Sequence, residues 1–503
     1  MNADLPETTA ADGGRSTPRI LSRDQHPVSR RLVSPNAVKV LYKLREAGHE
    51  AYLVGGCIRD IVLGITPKDF DVATSARPEE VRRLFRNCRL IGRRFRLAHV
   101  VFGREIIEVA TFRAASAPSQ GEETDADPDI LPEVGAVADD EAEEPVELAA
   151  TGEDEEQQDR QLDEQGRILR DNTYGTLEDD VWRRDFTCNA LYYTVEDFSV
   201  RDYVGGYEDI QARRLALIGD PETRYREDPV RMLRAARFEA KLGFTLAPAT
   251  EAPIAKLRPL LAEVPAARLF DESLKLFLTG HGARSFEVLC QRGLLGVLYP
   301  TVASYLDRHA GGPVEQLLKA GLANTDARVL AGKPVTPTFL FALLLYGPIA
   351  AEIEKSPPSQ WHEPTVILDA VDRAVQAAQR VVTLPKRFTL GIRDMFASQP
   401  RLEQPRGRRA LRTLELPRFR AAFDLLALRA AAGLAAPSAA QWWTRLQEVA
   451  PAERARMIEQ LERAQNRQGP AAAPQGEGAG ATGARRKRRP RRRSGGGKDP
   501  AQD

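Results

Sequence analysis

Three acidic residues stand in a pattern that predicts a metal site. Asp69 and Asp71 lie two apart in the run KDFDV, so in an extended chain both carboxylates project from one face. They repel each other unless a cation lies between them. Glu108 stands alone in the apolar run IIEVATF, where an unpaired charge would be costly. Because oxygen ligands suit Mg²⁺, which waters and substrate phosphates complete, we predict that these three residues hold Mg²⁺.

Two glycines precede this acidic pair. Gly55 and Gly56 follow the apolar run AYLV and open a short predicted helix that carries Arg59 and Asp60. This geometry lets backbone N–H groups approach a phosphate closely. Asp-x-Asp is common in acidic loops, and Gly-Gly at a strand end is usually only a turn. The order of strand, glycines, helix and acidic strand favours the functional interpretation.

The spacing of apolar residues predicts the helices and strands that must position these residues. Ser34-Pro35 predicts a helix start, with Ala37, Val40, Leu41 and Leu44 at helical spacing and a stop at Gly48. From Ala51 to Phe112, short apolar runs alternate with helical stretches such as 78–86, which is typical of a mixed sheet with helices. The runs NALYYTVE and FSVRDYV predict a hairpin, and the chain after Pro229 is almost wholly helical in pattern.

Composition sets the remaining boundaries. Residues 121–164 hold 19 acidic residues and one arginine, whereas 485–493 hold eight basic residues in nine; both patterns predict disorder. We therefore expect an α+β protein with a small mixed sheet followed by a mostly helical region. The predicted divisions are a disordered leader (1–19), a mixed-sheet domain (20–215) with an acidic disordered insertion at about 114–166, two helical regions (216–290 and 291–467), and a disordered arginine-rich end (468–503).

Length and cysteine content exclude several classes. The chain has 503 residues, a net charge of +1 and four widely spaced cysteines without a CxxC pair. A small disulfide scaffold and a cysteine zinc site are thereby excluded. The N-terminus has no apolar signal region, and no apolar run is long enough to cross a membrane. These features predict a cytoplasmic protein without a membrane-spanning segment.

Four segments resemble the class II nucleotidyltransferases of the polymerase β superfamily, which are the bacterial poly(A) polymerases and the tRNA CCA-adding enzymes. The segments are GGCIRDIVLGITPKDFDV (55–72), RRDFTCNALYY (183–193), DYVGGYEDI (202–210) and RYREDPVRMLRAARFEAKLGF (224–244). The resemblance covers residues 20 to about 430 and is interrupted only at the acidic insertion. It implies a nucleotidyltransferase head (20–215), a helical neck with nucleotide-recognition and RNA-binding elements (216–290), an RNA-binding helical body and tail (291–467) and an RNA-binding arginine-rich end (468–503). The implied reaction is in-line attack by an RNA 3′-hydroxyl on the α-phosphate of a nucleoside triphosphate, with release of pyrophosphate.

The resemblance also implies site residues. It makes Asp69, Asp71 and Glu108 the ligands of two Mg²⁺ ions, for which Mn²⁺ can substitute, and places Asp185 beside them as a catalytic residue. The implied nucleotide-binding residues are Gly55, Gly56, Arg59, Asp60, Arg183, Arg184, Asn189, Glu227, Asp228, Arg231 and Arg234. Within this set, the resemblance assigns base recognition to Asp228 and Arg231.

Several of these residues have an ordinary structural alternative. Asp228 before Pro229 is also a good helix N-cap. Arg231 and Arg234 lie three apart, which is more often a solvated stripe than a base reader. Asp185 could simply pair with Arg183 or Arg184 at the surface. His99 lies inside a predicted strand, where we expect a satisfied core residue and no ligand.

Within the family, the stretch LIGRRFRLAHV (90–100) favours a poly(A) polymerase, although it could also be a basic surface loop. We expect addition of AMP from ATP to RNA 3′ ends, in mRNA and other transcripts, with a role in RNA decay and with protein partners in decay as a further possibility. The alternatives are a CCA-adding tRNA nucleotidyltransferase and a non-catalytic RNA-binding protein. The predicted RNA-binding residues are Arg93, Arg94, Arg96, Arg485, Arg486, Lys487, Arg488, Arg489, Arg491, Arg492 and Arg493, which would contact phosphates without reading sequence.

Overall fold

A computed structural model describes residues 17–92, 96–114, 160–162, 168–171 and 174–467. These residues form a mixed α+β head at the N-terminal side, followed by a long helical region. None of the helices in these ranges is long and apolar enough to cross a membrane. The predicted leader up to residue 16, most of the acidic insertion, and the arginine-rich end from 468 lie outside the described residues.

The head is built on one eight-stranded mixed sheet in the order β1-β10-β9-β2-β3-β6-β5-β4. Its neighbouring strands are antiparallel except for β3 and β6, which are parallel. Two further two-stranded sheets pair β7 with β8 and β11 with β12. The strands are β1 (Arg19–Leu21), β2 (Ala51–Val54), β3 (Asp71–Thr74), β4 (Cys88–Ile91), β5 (Leu97–Phe102), β6 (Glu105–Thr111), β7 (Arg160–Leu162), β8 (Ile168–Asp171), β9 (Leu191–Tyr193), β10 (Val200–Asp202), β11 (Arg214–Leu215) and β12 (Thr245–Leu246).

Helices dominate the chain after β10. In chain order the helices of the described residues are α1 (Pro35–Glu46), α2 (Gly56–Val62), α3 (Pro78–Leu84), α4 (Leu177–Arg183), α5 (Gly206–Gln211), α6 (Pro221–Glu227), α7 (Val230–Leu242), α8 (Pro248–Glu251), α9 (Ile254–Leu257), α10 (Ala266–Phe277), α11 (Gly282–Gln291), α12 (Leu295–Leu298), α13 (Pro300–Arg308), α14 (Pro313–Leu330), α15 (Pro337–Leu344), α16 (Tyr346–Ile353), α17 (Pro364–Gln379), α18 (Lys386–Glu403), α19 (Arg409–Leu414), α20 (Phe419–Ala431), α21 (Pro437–Glu448) and α22 (Pro451–Arg467). The expected mixed-sheet head and helical remainder are confirmed.

The two faces of the head sheet pack differently. One face joins α1 and α3 in a core that continues into the neck and body, and Val72, Ile107 and Val109 belong to it. The other face carries a smaller apolar cluster that includes Tyr52 and Tyr192. Strand alternation assigns successive residues to opposite faces. Asp71 and Glu108, which directly precede Val72 and Val109 on these strands, therefore lie on the face away from the main core.

Local sequence signals account for the first helix. The Ser34 hydroxyl accepts a hydrogen bond from the Asn36 N–H at 3.1 Å, Pro35 occupies the first turn, and Ala37, Val40, Leu41 and Leu44 are all buried. Gly48 follows the helix with a φ of +87°, which favours glycine. These observations confirm the predicted start, buried face and stop of α1.

Three features at the edges of the fold differ from or refine the expectations. The structured part of the head begins at β1, which starts at Arg19, the last residue of the predicted leader, and pairs with β10 at the edge of the sheet. The expectation of disorder through residue 166 is wrong at β7, because the backbone of this strand pairs with that of β8. The predicted hairpin of NALYYTVE and FSVRDYV is confirmed as the pair β9–β10.

Candidate active site

A row of side chains crosses the head sheet on the face away from the main core. Directly opposed residues, which share a face, run from Arg201 on β10 through Tyr192 and Val54 to Asp71, and from Asp71 to Glu108, His99 and Arg89 at the far edge. The parallel register that pairs Asp71 with Glu108 brings together two of the three predicted metal ligands. Asp69 lies two residues before β3 and is exposed.

Gly55 lies between the acidic row and an arginine. Its φ of +80° favours glycine. A Cβ added there would lie 3.7 Å from Asp71 Oδ2 and 3.8 Å from Arg184 Nη1. Any side chain at this position would enter the space between a predicted metal ligand and a predicted phosphate ligand. The backbone conformation thus favours glycine here, and its lack of a side chain leaves nothing between Asp71 and Arg184 at this position.

Glu108 has a neighbour that the sequence did not assign to it. His99 Nε2 lies 3.4 Å from Glu108 Oε2, and both side chains are partly exposed. The expectation that His99 is a core residue is wrong, because strand alternation buries Ala98 and Val100 and turns His99 to the acidic face. Within the described ranges no three His, Cys, Asp or Glu side chains converge closely enough to hold a metal ion.

The two arginines of the RRDFTCN segment lie at the end of helix α4, which ends at Arg183. Arg184 donates to the Tyr192 hydroxyl at 2.7 Å and to Asp180 Oδ2 at 3.1 Å, and Tyr192 donates to the same Asp180 oxygen at 2.7 Å. Burial opposes ionisation of Asp180, yet Arg184 and Arg183 hold its pKa below the ordinary value. This triad fixes the Arg184 guanidinium beside Gly55. Neither Asp180 nor Tyr192 was singled out from the sequence, because nothing in the spacing indicates their partner.

Asp185 joins the head to the neck. Its Oδ2 accepts from Arg234 Nε at 2.8 Å and Nη2 at 2.7 Å, a bidentate pair with helix α7. Its other oxygen accepts from the Phe186 N–H. Burial raises the pKa of Asp185, but Arg234 outweighs burial and the pKa lies below the ordinary value. The alternative that Asp185 only pairs with Arg183 or Arg184 at the surface is wrong, because Arg234 is its partner.

Arg59 is buried and ties helix α2 to the same segment. Its guanidinium donates to Asn189 Oδ1 at 2.7 Å and to Asp60 Oδ1 at 2.7 and 2.9 Å. It also lies 5.6 Å from the centre of the Phe238 ring, to which Arg234 comes within 5.8 Å. Only 3% of Arg59 is exposed. Its contacts are with protein groups, and they connect the glycine segment, the RRDFTCN segment and helix α7.

The neck arginines are held by carbonyls and by Glu227. Arg224 donates to the backbone oxygens of Arg183 and Arg184, each at 2.8 Å. Arg231 donates to the Arg224 carbonyl at 2.8 Å and to Glu227 Oε2 at 3.2 Å. The solvated-stripe alternative is wrong for Arg231, which is 8% exposed. Arg224 was missed from the sequence because its contacts are made with backbone oxygens.

Asp228 performs two tasks. Its Oδ1 accepts from the Val230 N–H at 3.1 Å at the start of α7, which agrees with the capping alternative. Its Oδ2 accepts from Arg268 on α10 at 2.7 Å. Arg268 lies 40 residues away in the chain, and no local pattern predicts this pair. The carboxylate that the resemblance assigns to base recognition is thus buried and oriented by groups on both sides.

The DYVGGYEDI segment positions the RRDFTCN turn. The Asp202 carboxylate accepts from the N–H groups of Val204, Gly205, Gly206 and Tyr207. Asp209 accepts from the Thr187 hydroxyl at 2.6 Å. A Cβ at Gly206 would collide with the Thr187 carbonyl. This segment therefore packs helix α5 directly against the turn that carries Asn189.

The predicted RNA-binding residues fall into two groups, one inside and one outside the described residues. Arg96 donates to Glu79 on α3 at 2.6 Å. The others, Arg93, Arg94 and the basic cluster 485–493, lie outside the described residues. RNA contact by all of them stays a prediction.

Comparisons with known proteins cover most of the chain. Three family models match: "Poly A polymerase head domain" at 51–216, "Probable RNA and SrmB- binding site of polymerase A" at 243–306 and "Polymerase A arginine-rich C-terminus" at 360–493. The chain is 44% identical to poly(A) polymerase I of Escherichia coli over 448 residues, which is 88% of this chain and 89% of that protein. It is 35% identical to the CCA-adding enzyme of Bacillus subtilis over 258 residues, or 51% and 54% of the two chains.

A solved structure shares the fold. A tRNA-processing enzyme in an apo form matches 86% of this chain and 98% of its own with a TM-score of 0.52 and 19% sequence identity.

Proposed function

The chain belongs to the bacterial poly(A) polymerase family, and on this premise we propose that Asp69, Asp71 and Glu108 form its catalytic centre. The chain is a nucleotidyltransferase that adds adenylate to RNA without a template. The observation that carries the proposal is the direct cross-strand register of Asp71 with Glu108, next to Gly55, which has no side chain. In this proposal an RNA 3′-hydroxyl attacks the α-phosphate of ATP, and pyrophosphate leaves.

The acidic residues fit a divalent ion by their chemistry. Family members generally use divalent metal ions, and Asp69, Asp71 and Glu108 offer only oxygen ligands, as Mg²⁺ or Mn²⁺ prefers. Mg²⁺ is usually held by one or two carboxylates with water and substrate phosphates completing its shell, so a cage of three converged side chains is not required. Such an ion would lower the pKa of the RNA 3′-hydroxyl and offset charge on the phosphates.

The space beside Gly55 is suited to the triphosphate. The Arg184 guanidinium is held there by Asp180 and Tyr192, and a fixed guanidinium can bind phosphate oxygens without reorganising. Arg59 acts in this proposal as a positioning residue, because its donors are already directed at Asn189 and Asp60. Gly56 keeps the start of α2 free of a side chain next to Arg59.

In this proposal, two residues of the neck, Asp228 and Arg231, select the base of the incoming nucleotide. A carboxylate at Asp228 accepts from an exocyclic amine such as adenine N6, and the Arg231 guanidinium donates to ring nitrogens. Adenine and cytosine carry an amine at the ring position where guanine and uracil carry a carbonyl oxygen, so these two residues alone select against uracil and guanine only. The Arg268 pair holds the Asp228 carboxylate in place, and Glu227 holds Arg231 in the same way.

RNA binding is the less specific part of the proposal. Arg93, Arg94, Arg96 and the basic cluster 485–493 would hold RNA of any sequence by its phosphates. The substrates are then the 3′ ends of mRNA and other transcripts. A role in RNA decay, partners in that process and a cytoplasmic location are proposals that follow from the family.

One experiment separates poly(A) addition from CCA addition. The purified chain with Mg²⁺ is given an unstructured RNA primer or a tRNA lacking its CCA end, with ATP, CTP or both. Long tails on the primer with ATP alone are expected. Addition that stops after C, C and A on the tRNA would contradict the proposal and favour the CCA-adding alternative, and no addition to either RNA would favour a non-catalytic RNA-binding protein.

A further inference from the structure

An arginine-lined cavity lies in the helical region far along the chain from the acidic row. It has a volume of about 490 Å³ and is formed by the end of α18, by α19 with the residues on either side of it, and by the loop before α17. Its lining includes Arg401, Arg406, Arg409, Arg412 and His362, and no acidic residue is among the described residues that line it. Four guanidinium groups therefore face one concave surface.

These four arginines differ from their neighbours on the same helices. Arg393 pairs with Asp372, Arg418 with Asp394, Arg420 with Asp424 and Arg429 with Glu403. None of the four cavity arginines has a carboxylate partner within 4 Å among the described residues. Like charges that converge without counter-charges attract an anion from solution.

We propose that this cavity binds phosphate groups of the RNA chain upstream of its 3′ end. A planar guanidinium binds phosphate oxygens in a bidentate manner, and the volume lies within the range of about 300–1,000 Å³ typical of ligand sites. Every nucleotide carries a phosphate, so contact between these guanidinium groups and phosphate oxygens is independent of sequence. This inference rests on the proposed function, since that function makes RNA the substrate.

The test removes two cavity charges in the full-length chain. Arg409→Gln with Arg412→Gln is compared with Arg380→Gln combined with Arg456→Gln, two exposed arginines of the same region that do not line the cavity. Both double variants lose the same charge. Binding of a fluorescent, unstructured RNA of about 20 nucleotides is measured by anisotropy in EDTA without ATP, at several salt concentrations.

Each lost phosphate contact on single-stranded RNA lowers the slope of log K against log salt by about 0.7. The cavity variant should therefore lose about 1.4 from that slope and bind about 25-fold more weakly at roughly 0.1 M salt. The control should keep its slope. Equal losses in both variants, or no loss in either, would overturn the proposal.

A second arm identifies the source of the phosphate. Thermal stabilisation by inorganic pyrophosphate is measured for the same proteins in EDTA. If the cavity variant loses only this stabilisation and binds RNA normally, the site takes a free phosphate compound and the RNA assignment is overturned. Because binding is measured without catalysis, failure of this inference is distinguishable from failure of adenylate addition to the primer, which tests the proposed function.

Discussion

The arginines at the junction of head and neck and those of the C-terminal cavity are organised in opposite ways. At the junction, Arg234 is bidentate to Asp185, Arg184 is fixed by Asp180 and Tyr192, and Arg268 holds Asp228. In the cavity, Arg409 and Arg412 line open space. Paired and largely enclosed guanidinium groups fix the geometry of other groups, whereas unpaired and exposed ones are available to a ligand. The first arrangement suits catalysis at a defined atom, and the second suits RNA binding that does not depend on sequence.

The largest expected effect separates the rate of adenylate addition from RNA affinity. Asp71→Asn keeps the shape of the side chain and removes its charge beside Glu108. We expect adenylate addition to fall about 10³-fold, because the lost stabilisation of the transition state amounts to several kcal/mol. RNA affinity in EDTA should stay within about twofold of wild type. Single-turnover extension of a primer and anisotropy measure the two quantities.

The comparison would fail if Asp71→Asn lost RNA affinity as much as activity, since the acidic row would then act in binding. Arg380→Gln combined with Arg456→Gln serves as the control for extension, because both positions lie apart from the acidic row and the cavity. Its rate at saturating primer should match that of wild type.

The next effect is on stability. Arg234→Gln leaves Asp185 buried without its bidentate partner, and breaking a buried pair in this way costs about 3 kcal/mol or more. By contrast, Arg409→Gln removes an exposed arginine without a carboxylate partner and should change the free energy of unfolding by less than about 0.5 kcal/mol. Urea unfolding of both variants measures the difference.

A double variant sharpens this stability comparison. Asp185→Asn combined with Arg234→Gln removes both charges, so it should lose less stability than Arg234→Gln alone. If the double variant is as unstable as the single one, the cost lies in packing and the ion pair is not its origin. Equal destabilisation by Arg234→Gln and Arg409→Gln would remove the distinction between the two regions.

The sequence predicts the fold well where the signal is local. The Ser34 cap, the apolar stripe of α1 and the β9–β10 hairpin follow from residues within a few positions of each other. The edge strand β1 has only three residues, and its partner lies about 180 positions later. A strand so short has too little alternation to be recognised without its partner.

The candidate site is predictable in its residues and unpredictable in its contacts. Spacing identifies Asp71 and Glu108 as candidates, but their opposition depends on the parallel register of β3 and β6. Arg268, Tyr192 and Arg224 carry no motif, because their partners lie on other elements or are backbone carbonyls. Ion pairs between distant elements depend on tertiary packing, which local pattern does not encode.

A smaller effect tests the role of Asp228. Asp228→Ala should reduce discrimination against UTP and GTP by roughly 10- to 100-fold, since a hydrogen bond to a charged group contributes about 1.5–3 kcal/mol. Asp228→Asn keeps an oxygen for the Val230 N–H and adds an amide donor, so incorporation of UTP or GTP should rise. Single-nucleotide incorporation with each triphosphate measures the ratio. Unchanged discrimination in Asp228→Ala would leave the residue a cap and a partner of Arg268 only.

The smallest effect is a dependence of stability on pH at the junction. Burial opposes ionisation of Asp185, but Arg234 lowers its pKa in the folded chain below the ordinary value. A carboxyl with a depressed folded pKa contributes stability above its unfolded pKa of about 3.9 and loses it as the pH falls toward the folded pKa. Asp185→Asn should therefore show a shallower fall in urea midpoint between about pH 5 and pH 3 than wild type. Because the cavity arginines have no carboxylate partner among the described residues, Arg409→Gln should follow the wild-type curve. A wild-type slope in Asp185→Asn would mean that Arg234 does not stabilise this carboxylate, and the contrast between the two sets of arginines would then rest on burial alone.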